Sequence, residues 1–562
     1  MSTARWAGNS RAAELISRSL LFTEALPIRR FPSPGWTTAV ILLFVYMLTL
    51  APGVTLWDSG EFLAAIHSFG IPHPPGTPLY ILIGKVWSML FASVFGFARS
   101  INLLSAVCTA FGCGILTSMF AKWTGDGFAA TAAGLTAGLM STVWLSATET
   151  EVYAVALLFG CMTLWAADRA GEDCDARWAL LAAYLSGLGW SLHLMALLVV
   201  PSAILLVFTT DDGYFAVPVG RRYADGRREA HSFAKLLRAA VVVTILGMTC
   251  VLFLRIRARH DPAINQGNPS TLASLVDVIL RRQYDVPHLW PRQAPFYLQL
   301  GNVFEYADWQ FAKGLASNAP PNLWRTSVTI LYALVGLYGF FGHRSADRRS
   351  WRAMALLFLV SSLGVVIYLN LKAGPSFGAG ILPANALHEA RERDYFFFWA
   401  FICWGLWAGF GAIHLSRRLK APLSLVAMVL PFAPGVLNWT AVDRRTDEVE
   451  TRARLIEADM LEKVPPSGIL LALGDNDTYP LWYLQQVEGT RKDVTVVTLP
   501  LLGAEWYRAE LARRYKLLDS ATVQNWPGRD STVAFLTRRS YEQGRPVIRS
   551  PFFSSDSTAT KR

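Results

Sequence analysis

Apolar runs recur along most of this chain at the length of a bilayer-crossing helix. A hydrocarbon core takes about 20 apolar residues in helical form. By that ruler, runs near 37–52, 101–121, 127–147, 152–167, 178–192, 194–208, 236–254, 326–342, 353–371, 395–413 and 421–437 predict about eleven spans. The stretch 178–208 is divided around Gly187, Gly189 and His193, because one unbroken helix there would be about 46 Å long. Residues 78–97 are apolar too, but Lys85 stands mid-run and the Phe and Trp side chains suit a membrane surface. They predict an interfacial helix. In the alternative path, 78–97 spans and 178–208 is a single tilted helix. Later assignments then stay put, while Glu149 and Glu151 change sides.

The pattern becomes soluble from about Asp443. Val449, Ala453, Ile456 and Met460 follow a 4-3-4 spacing, which predicts an amphipathic helix within 443–463. Short apolar runs at 469–473 and 494–499 flank a helical stretch near 479–488. That strand–helix–strand order predicts a small α/β domain with a parallel pair. The fold class is therefore a polytopic α-helical membrane protein with a small C-terminal α/β domain. Its parts are a basic tail (1–36), a transmembrane domain (37–438) with long loops at 53–100 and 255–325, the α/β domain (439–551) and a frayed tail (552–562).

Composition agrees with this reading. The 562 residues are 53% hydrophobic and 17% charged, against about 25% charged in a soluble domain. The net charge of +11 would point to nucleic acid in a soluble protein. Its distribution says otherwise. Arg5, Arg11, Arg18, Arg29 and Arg30 keep the tail, read as part of a signal anchor, in the cytoplasm. From that start, the loops with Arg221, Arg222, Arg227 and Arg228, then Arg344, Arg348, Arg349 and Arg352, then Arg417, Arg418 and Lys420 all fall on the cytoplasmic side. The positive charge is a topology signal, and no nucleic-acid partner is expected. The cysteines lie in spans or in a cytoplasmic loop, so no disulfide framework is expected.

The unusual residues gather on the outer side. The first outer loop reads Leu56-Trp57-Asp58-Ser59-Gly60-Glu61-Phe62, then Ile71-Pro72-His73-Pro74-Pro75-Gly76-Thr77-Pro78. Asp58 and Glu61, three apart, share one face of a helical turn. Two carboxylates at a membrane mouth supply a general base and a partner that orients it. A helix cap before an ordinary surface loop explains the same residues. Glu149 and Glu151 stand between two spans, as substrate contacts or as plain helix-end charges. His193 is a substrate contact or a packing histidine. In 388–395, Arg391 and Arg393 suit bidentate phosphate recognition, with Asp394 beside them, unless the run merely neutralises itself. Asn265-Gln266-Gly267-Asn268-Pro269 is a turn signature, with Arg281-Arg282-Gln283-Tyr284 a basic polar patch nearby. Gly474-Asp475-Asn476-Asp477-Thr478 follows a strand, where α/β sheets place ligands. Asp475 and Asp477 offer ligands for a divalent metal; helix capping explains them equally. No cofactor is otherwise indicated.

Chemistry on an outer face has no supply of ATP or nucleotide sugars. A transferase there needs a donor delivered through the bilayer, typically a sugar on a polyprenyl phosphate, plus a base, cations for the phosphate and alignment. Asp58, with Lys85 in the nearby interface, meets that description. The rival class is a lipid or glycan transporter or flippase, in which inverted repeats and broken mid-membrane helices are common. The sequence shows neither.

The stretch LWDSGEF…GIPHPPGTPLY (56–80) resembles the opening of the transmembrane protein 260 family, whose animal member is a protein O-mannosyltransferase. ETEVYA (149–154), PAINQGNP (262–269), RRQY (281–284), ERDYFF (392–397) and GDNDTYPLWYLQQVEG (474–489) extend the resemblance in order along nearly the whole chain. The resemblance implies a GT-C architecture: many helices and a long first outer loop carrying the catalytic acid. The implied donor is a polyprenyl-phosphate sugar and the implied reaction an inverting transfer, with mannose expected. Asp58 then becomes the base, Glu61 its partner, and His73 and Lys85 further contacts in that loop, Lys85 for the phosphate. Compared with the animal member, no long helical-repeat region is expected after the α/β segment, so a shared mode of acceptor recognition is not implied. An exported protein or envelope glycan is the expected acceptor, at a bacterial inner membrane with the active site in the periplasm.

Overall fold

The computed structural model describes residues 33–209, 220–222, 228–230, 233–284, 287–316, 320–378, 382–383, 385–445 and 452–550. The expected basic tail before residue 33, Arg227, the start of the amphipathic stretch around Val449 and the tail from 552 lie outside the described residues.

Eight helices are long and apolar enough to cross a membrane: Pro78–Phe95, Phe97–Thr124, Val152–Asp173, Phe233–Ala258, Leu323–Ala346, Arg348–Leu369, Asp394–Ser416 and Leu423–Val442. Gly127–Gly138 and Ser141–Ala147 make a ninth if the pair, bent by 73°, is one span. Pro34–Leu48 and Leu194–Val207 are shorter apolar helices, and Ala176–Trp190 has 15 residues. Every run expected to span is thus helical. Those near 37–52, 178–192 and 194–208 form helices below the length that a lone span needs. The bend at Gly138–Ser141 is a broken helix that the apolar pattern alone does not reveal.

Pro78–Phe95 differs from expectation, since length and composition place it among the candidate spans. Its contacts tie its start and middle to one end of the bundle. Near its start, Leu79 N–H donates to the Ser191 carbonyl at 3.2 Å, at the break before His193. Farther along, Trp87 Nε1 donates to the Ser100 carbonyl at 2.7 Å. Two residues on, the Asn102 amide holds the carbonyls of Ala51 and Gly53, both at 2.9 Å. Both halves therefore meet the end of the bundle where the first helix emerges. Val86, Met89, Leu90 and Val94 are exposed on its apolar face. At the opposite end sit the basic clusters: Arg349 pairs with Asp168 at 2.7 Å, and Arg417 pairs with Asp126.

The C-terminal domain holds a three-stranded parallel sheet in the order Thr495–Thr498, Ile469–Ala472, Val547–Arg549. Ile469 lies opposite both Thr495 and Val547. The third strand is additional to the expected pair. Ile469, Leu471, Val497, Leu502, Leu511 and Leu536 are buried together in its core. Helix Asp475–Gln486 begins four residues before the expected one. It packs on helix Ser59–Ser68 so closely that a methyl group on Gly60 would meet the Tyr479 carbonyl oxygen at 2.5 Å. The α/β domain therefore roofs the mouth of the bundle.

Candidate active site

Asp58 is the N-cap of helix Ser59–Ser68, and the preceding Trp57 adopts a left-handed backbone, φ 62°. Only 8% of Asp58 is exposed. Its Oδ2 accepts from Arg391 Nη2 at 3.0 Å. Arg391 Nε donates to the Tyr395 hydroxyl at 3.0 Å, which also receives Arg393 Nη1 at 2.7 Å. The Arg391 guanidinium lies 5.1 Å from the Trp57 ring and 5.0 Å from the Tyr395 ring, within cation–π range of both. Burial works against the Asp58 charge. Arg391, then His73 and Arg393, outweigh it and hold the carboxyl below its usual range. Among the described residues Oδ1 takes no protein hydrogen bond.

One turn on, Glu61 is fully buried. Its Oε1 accepts the His73 backbone N–H at 2.7 Å and its Oε2 meets His73 Nδ1 at 2.5 Å. Gln266 Nε2 also donates to Oε1. Local backbone pairing sets up this arrangement: Ile71 N–H donates to the Ile264 carbonyl at 2.8 Å, and Gln266 N–H to the Ile71 carbonyl at 3.0 Å. The two long loops, far apart in sequence, are thereby laced together. Burial pushes the Glu61 carboxyl up, with His73 drawing it back. For His73, burial opposes the charge, but Glu61 outweighs it and lifts the imidazole to about 9.

The turn at 148–151 faces the same mouth. Glu149 accepts from Thr55 Oγ1 at 2.8 Å and pairs with Arg444 at 2.5 Å. Glu151 Oε2 is buried without a hydrogen-bond partner among the described residues. Burial first, then Asp58 and Glu149, raise its carboxyl well above the usual value. His193 sits edge-on to Tyr153 at 5.0 Å, and Tyr153 stacks on Tyr395 at 5.1 Å. The Met195 amide donates to His193 Nδ1 at 3.1 Å, which puts the ring proton on Nε2. From the roof, Asn476 Oδ1 accepts the Trp57 N–H at 2.8 Å. Burial raises the neighbouring Asp475 carboxyl, and Asp58 raises it further.

The structure thus gathers Asp58, Glu61, His73, Glu149, Glu151, His193, Arg391 and Arg393 around one mouth, with Asp475 above. It leaves three expected residues aside. Lys85 Nζ donates to the His67 carbonyl at 2.8 Å, at the far end of the helix that Asp58 begins, about 14 Å along its axis. Asp394, at the first position of the short helix Asp394–Phe397, accepts from Thr142 Oγ1 at 2.6 Å. Asp477 spends both carboxylate oxygens on the N–H groups of Leu473 and Gly474, each at 2.7 Å. Helix capping accounts for it, and among the described residues no group of three His, Cys, Asp or Glu side chains is placed to hold a metal. Gln266, Tyr395 and Arg444 are members that sequence reasoning missed. The first two lie in motifs singled out above, PAINQGNP and ERDYFF.

Fold and site together define a multi-pass helical membrane protein with a charged crevice at one end of its bundle, beneath an α/β roof. Two stretches of the chain are similar to the TMEM260 family. Residues 58–213 match the protein O-mannosyl-transferase TMEM260 N-terminal domain, and residues 453–529 match TMEM260-associated domain 2. Protein O-mannosyl-transferase tmem260 of Dictyostelium discoideum is 23% identical over 523 residues, covering 84% of this chain and 58% of that one. Protein O-mannosyl-transferase TMEM260 of Mus musculus is 24% identical over 497 residues, covering 84% and 63%. The chain therefore spans less than two thirds of the length of either relative. Among solved structures, Cupriavidus metallidurans ArnT bound to undecaprenyl phosphate aligns over 84% of this chain and 92% of that one, at 12% identity and TM-score 0.49. The apo form aligns over 84% and 91%, at 10% identity and TM-score 0.47.

Proposed function

We propose that this chain is a GT-C-type glycosyltransferase. It moves a sugar, mannose by analogy with its named relatives, from a polyprenyl phosphate to a Ser or Thr hydroxyl of an exported protein. The observation that carries the reading is Asp58: a buried, ionised carboxylate fixed through one oxygen by Arg391 and open at the other. The acceptor hydroxyl attacks the anomeric carbon as its proton passes to Asp58 Oδ1. The bond from that carbon to the phosphate oxygen breaks, and polyprenyl phosphate leaves with the electron pair. A single displacement of this kind inverts the anomeric centre. The His73–Glu61 pair sets positive charge beside Asp58 and fixes the loop that carries it.

The basic clusters at the opposite end of the bundle support an outward-facing mouth, since Lys and Arg mark the cytoplasmic side. In a bacterial cell that is the periplasmic face of the inner membrane. The test is transfer of radiolabelled mannose from polyprenyl phosphate to protein in membranes carrying wild type or Asp58→Asn. Removing a general base costs about 10²–10⁴-fold, so the variant is expected to fall by at least ~100-fold. Equal transfer by both removes Asp58 from the chemistry.

A second reading, a lipid or glycan transporter, draws on the 73° break between Gly127–Gly138 and Ser141–Ala147, because broken helices serve transporters as binding sites. Uptake into proteoliposomes with no covalent product would favour it.

A further inference from the structure

Arg281, in the basic patch within the second long loop, makes no hydrogen bond or ion pair to the crevice residues described above. It stands in a left-handed backbone, φ 57°, and lines a cavity of about 50 Å³ with Pro75, Thr77, Trp190, Leu194 and Val251. A water needs about 10–15 Å³ measured this way, so the space takes a group the size of a phosphoryl head. Two polar atoms on this cavity are buried and lack a partner: Arg281 Nε and Thr77 Oγ1. Thr77 is only 2% exposed. It is also the N-cap of the 18-residue helix Pro78–Phe95, and its side chain makes no capping bond. Pro78 has no N–H and the Leu79 N–H is taken by the Ser191 carbonyl, so this helix end offers its dipole rather than a row of free donors.

A buried guanidinium N–H without an acceptor is an unfavourable arrangement unless an anion completes it. No carboxylate does so among the described residues. Apart from Ser191, the remaining walls are apolar. Leu194 is 36% exposed, and helix Phe233–Ala258, which supplies Val251, turns most of its surface outward. The cavity thus joins an anion-seeking floor to a lipid-facing flank. It also joins the crevice, for Thr77 belongs to the His73 loop. On the other side, His193 follows Trp190 and leads through Tyr153 and Tyr395 to Arg391 and Asp58.

We propose that this cavity is the phosphate subsite of an isoprenoid lipid phosphate, with Arg281 and Thr77 binding the phosphate oxygens and Trp190, Leu194 and Val251 bordering the first isoprenoid units. On the transferase reading, the anomeric carbon bonded to that phosphate faces His73 and Asp58. This last point rests on the transferase reading; the phosphate subsite does not.

The test is equilibrium binding of a long-chain polyprenyl monophosphate, without sugar, to the purified full chain in nanodiscs. Polyprenol and inorganic phosphate serve as separate probes. Losing a hydrogen bond to a charged group weakens binding by about 10–100-fold. Arg281→Gln is therefore expected to raise Kd at least ~10-fold, Thr77→Val less, and Arg281→Lys to an intermediate value. Polyprenol is expected not to bind. If Arg281→Gln does not fold, Thr77→Val and Arg281→Lys carry the test, and each must still weaken binding. Undiminished affinity in these variants, or equal binding of polyprenol, overturns the subsite. Competition by millimolar inorganic phosphate, at the affinity of the lipid, overturns its lipid character. Arg281-dependent binding in a protein that transfers no sugar would refute the transferase reading and leave the subsite standing.

Discussion

His73 and Glu61 are joined twice, by the His73 backbone N–H to Oε1 at 2.7 Å and by ring Nδ1 to Oε2 at 2.5 Å. The ordinary histidine value is about 6.5, and the folded value is pushed up to about 9. A raised value means that the pair stabilises the fold fully below the ordinary value and loses that contribution as pH rises through about 9. Activity and melting temperature are expected to share an alkaline decline near that pH. In Glu61→Gln the cation loses its counter-charge while burial persists, so the decline is expected to move below pH 7. A pH–rate profile and melting curves of both proteins check this. An unmoved alkaline limb would separate the pair from function.

Arg391 acts on Asp58 in the opposite sense. A carboxyl held below its usual value is ionised, and ready to accept a proton, until pH falls through that lowered value. In Arg391→Gln burial prevails, and the acid limb of kcat/KM is expected to shift upward in pH, with a loss of at least ~10-fold at neutrality. Arg391→Lys keeps the charge but not the fork that joins Asp58 to Tyr395, and is expected to lie between the two. An acid limb that stays in place in Arg391→Gln would contradict the assignment.

Gly60 tests the roof. A Cβ there would meet the Tyr479 carbonyl oxygen at 2.5 Å and the Pro480 nitrogen at 2.9 Å, both backbone atoms that cannot rotate away. Gly60→Ala is expected to lose ~1–3 kcal/mol through overpacking. It should also make the C-terminal domain more sensitive to limited proteolysis than the helical bundle. Unchanged cleavage rates would mean that the roof tolerates a gap.

Reporter fusions decide the orientation. Fusions after Asp126 and after Glu172 are both expected to report the cytoplasm, and one after Lys516 the opposite side. A non-cytoplasmic signal at either of the first two would restore the path in which 78–97 crosses.

Much of this arrangement was legible in sequence. The spans follow from apolar run length, and the pairing of Asp58 with Glu61 on one turn follows from their spacing. The sheet's central strand is a plain apolar run bounded by Gly468 and Gly474. Other features have no local signature. Arg391 reaches Asp58 across 333 positions, and Gln266 reaches Glu61 across 205. The strand Val547–Arg549 is three residues long, close to Pro546 and Pro551, and is fixed by pairing with Ile469–Leu471 and by packing of Val547 and Ile548. Hydropathy could not place Pro78–Phe95, because a helix lying in the interface and one crossing the bilayer bury similar side chains. Lys85 was expected in the site because it lies in the same loop, but helix geometry directs it to the far end of Ser59–Ser68.

The bond from Trp57 to Asn476 spans 419 positions. A ribosome must therefore complete nearly the entire chain before the residue beside Asp58 acquires its last restraint. The mouth is finished only after every helix has been inserted, so the nascent chain holds its carboxylate and its arginine in the membrane without a working centre. Two fragments divided between Asp443 and Arg452 are expected to regain the proposed activity only when combined.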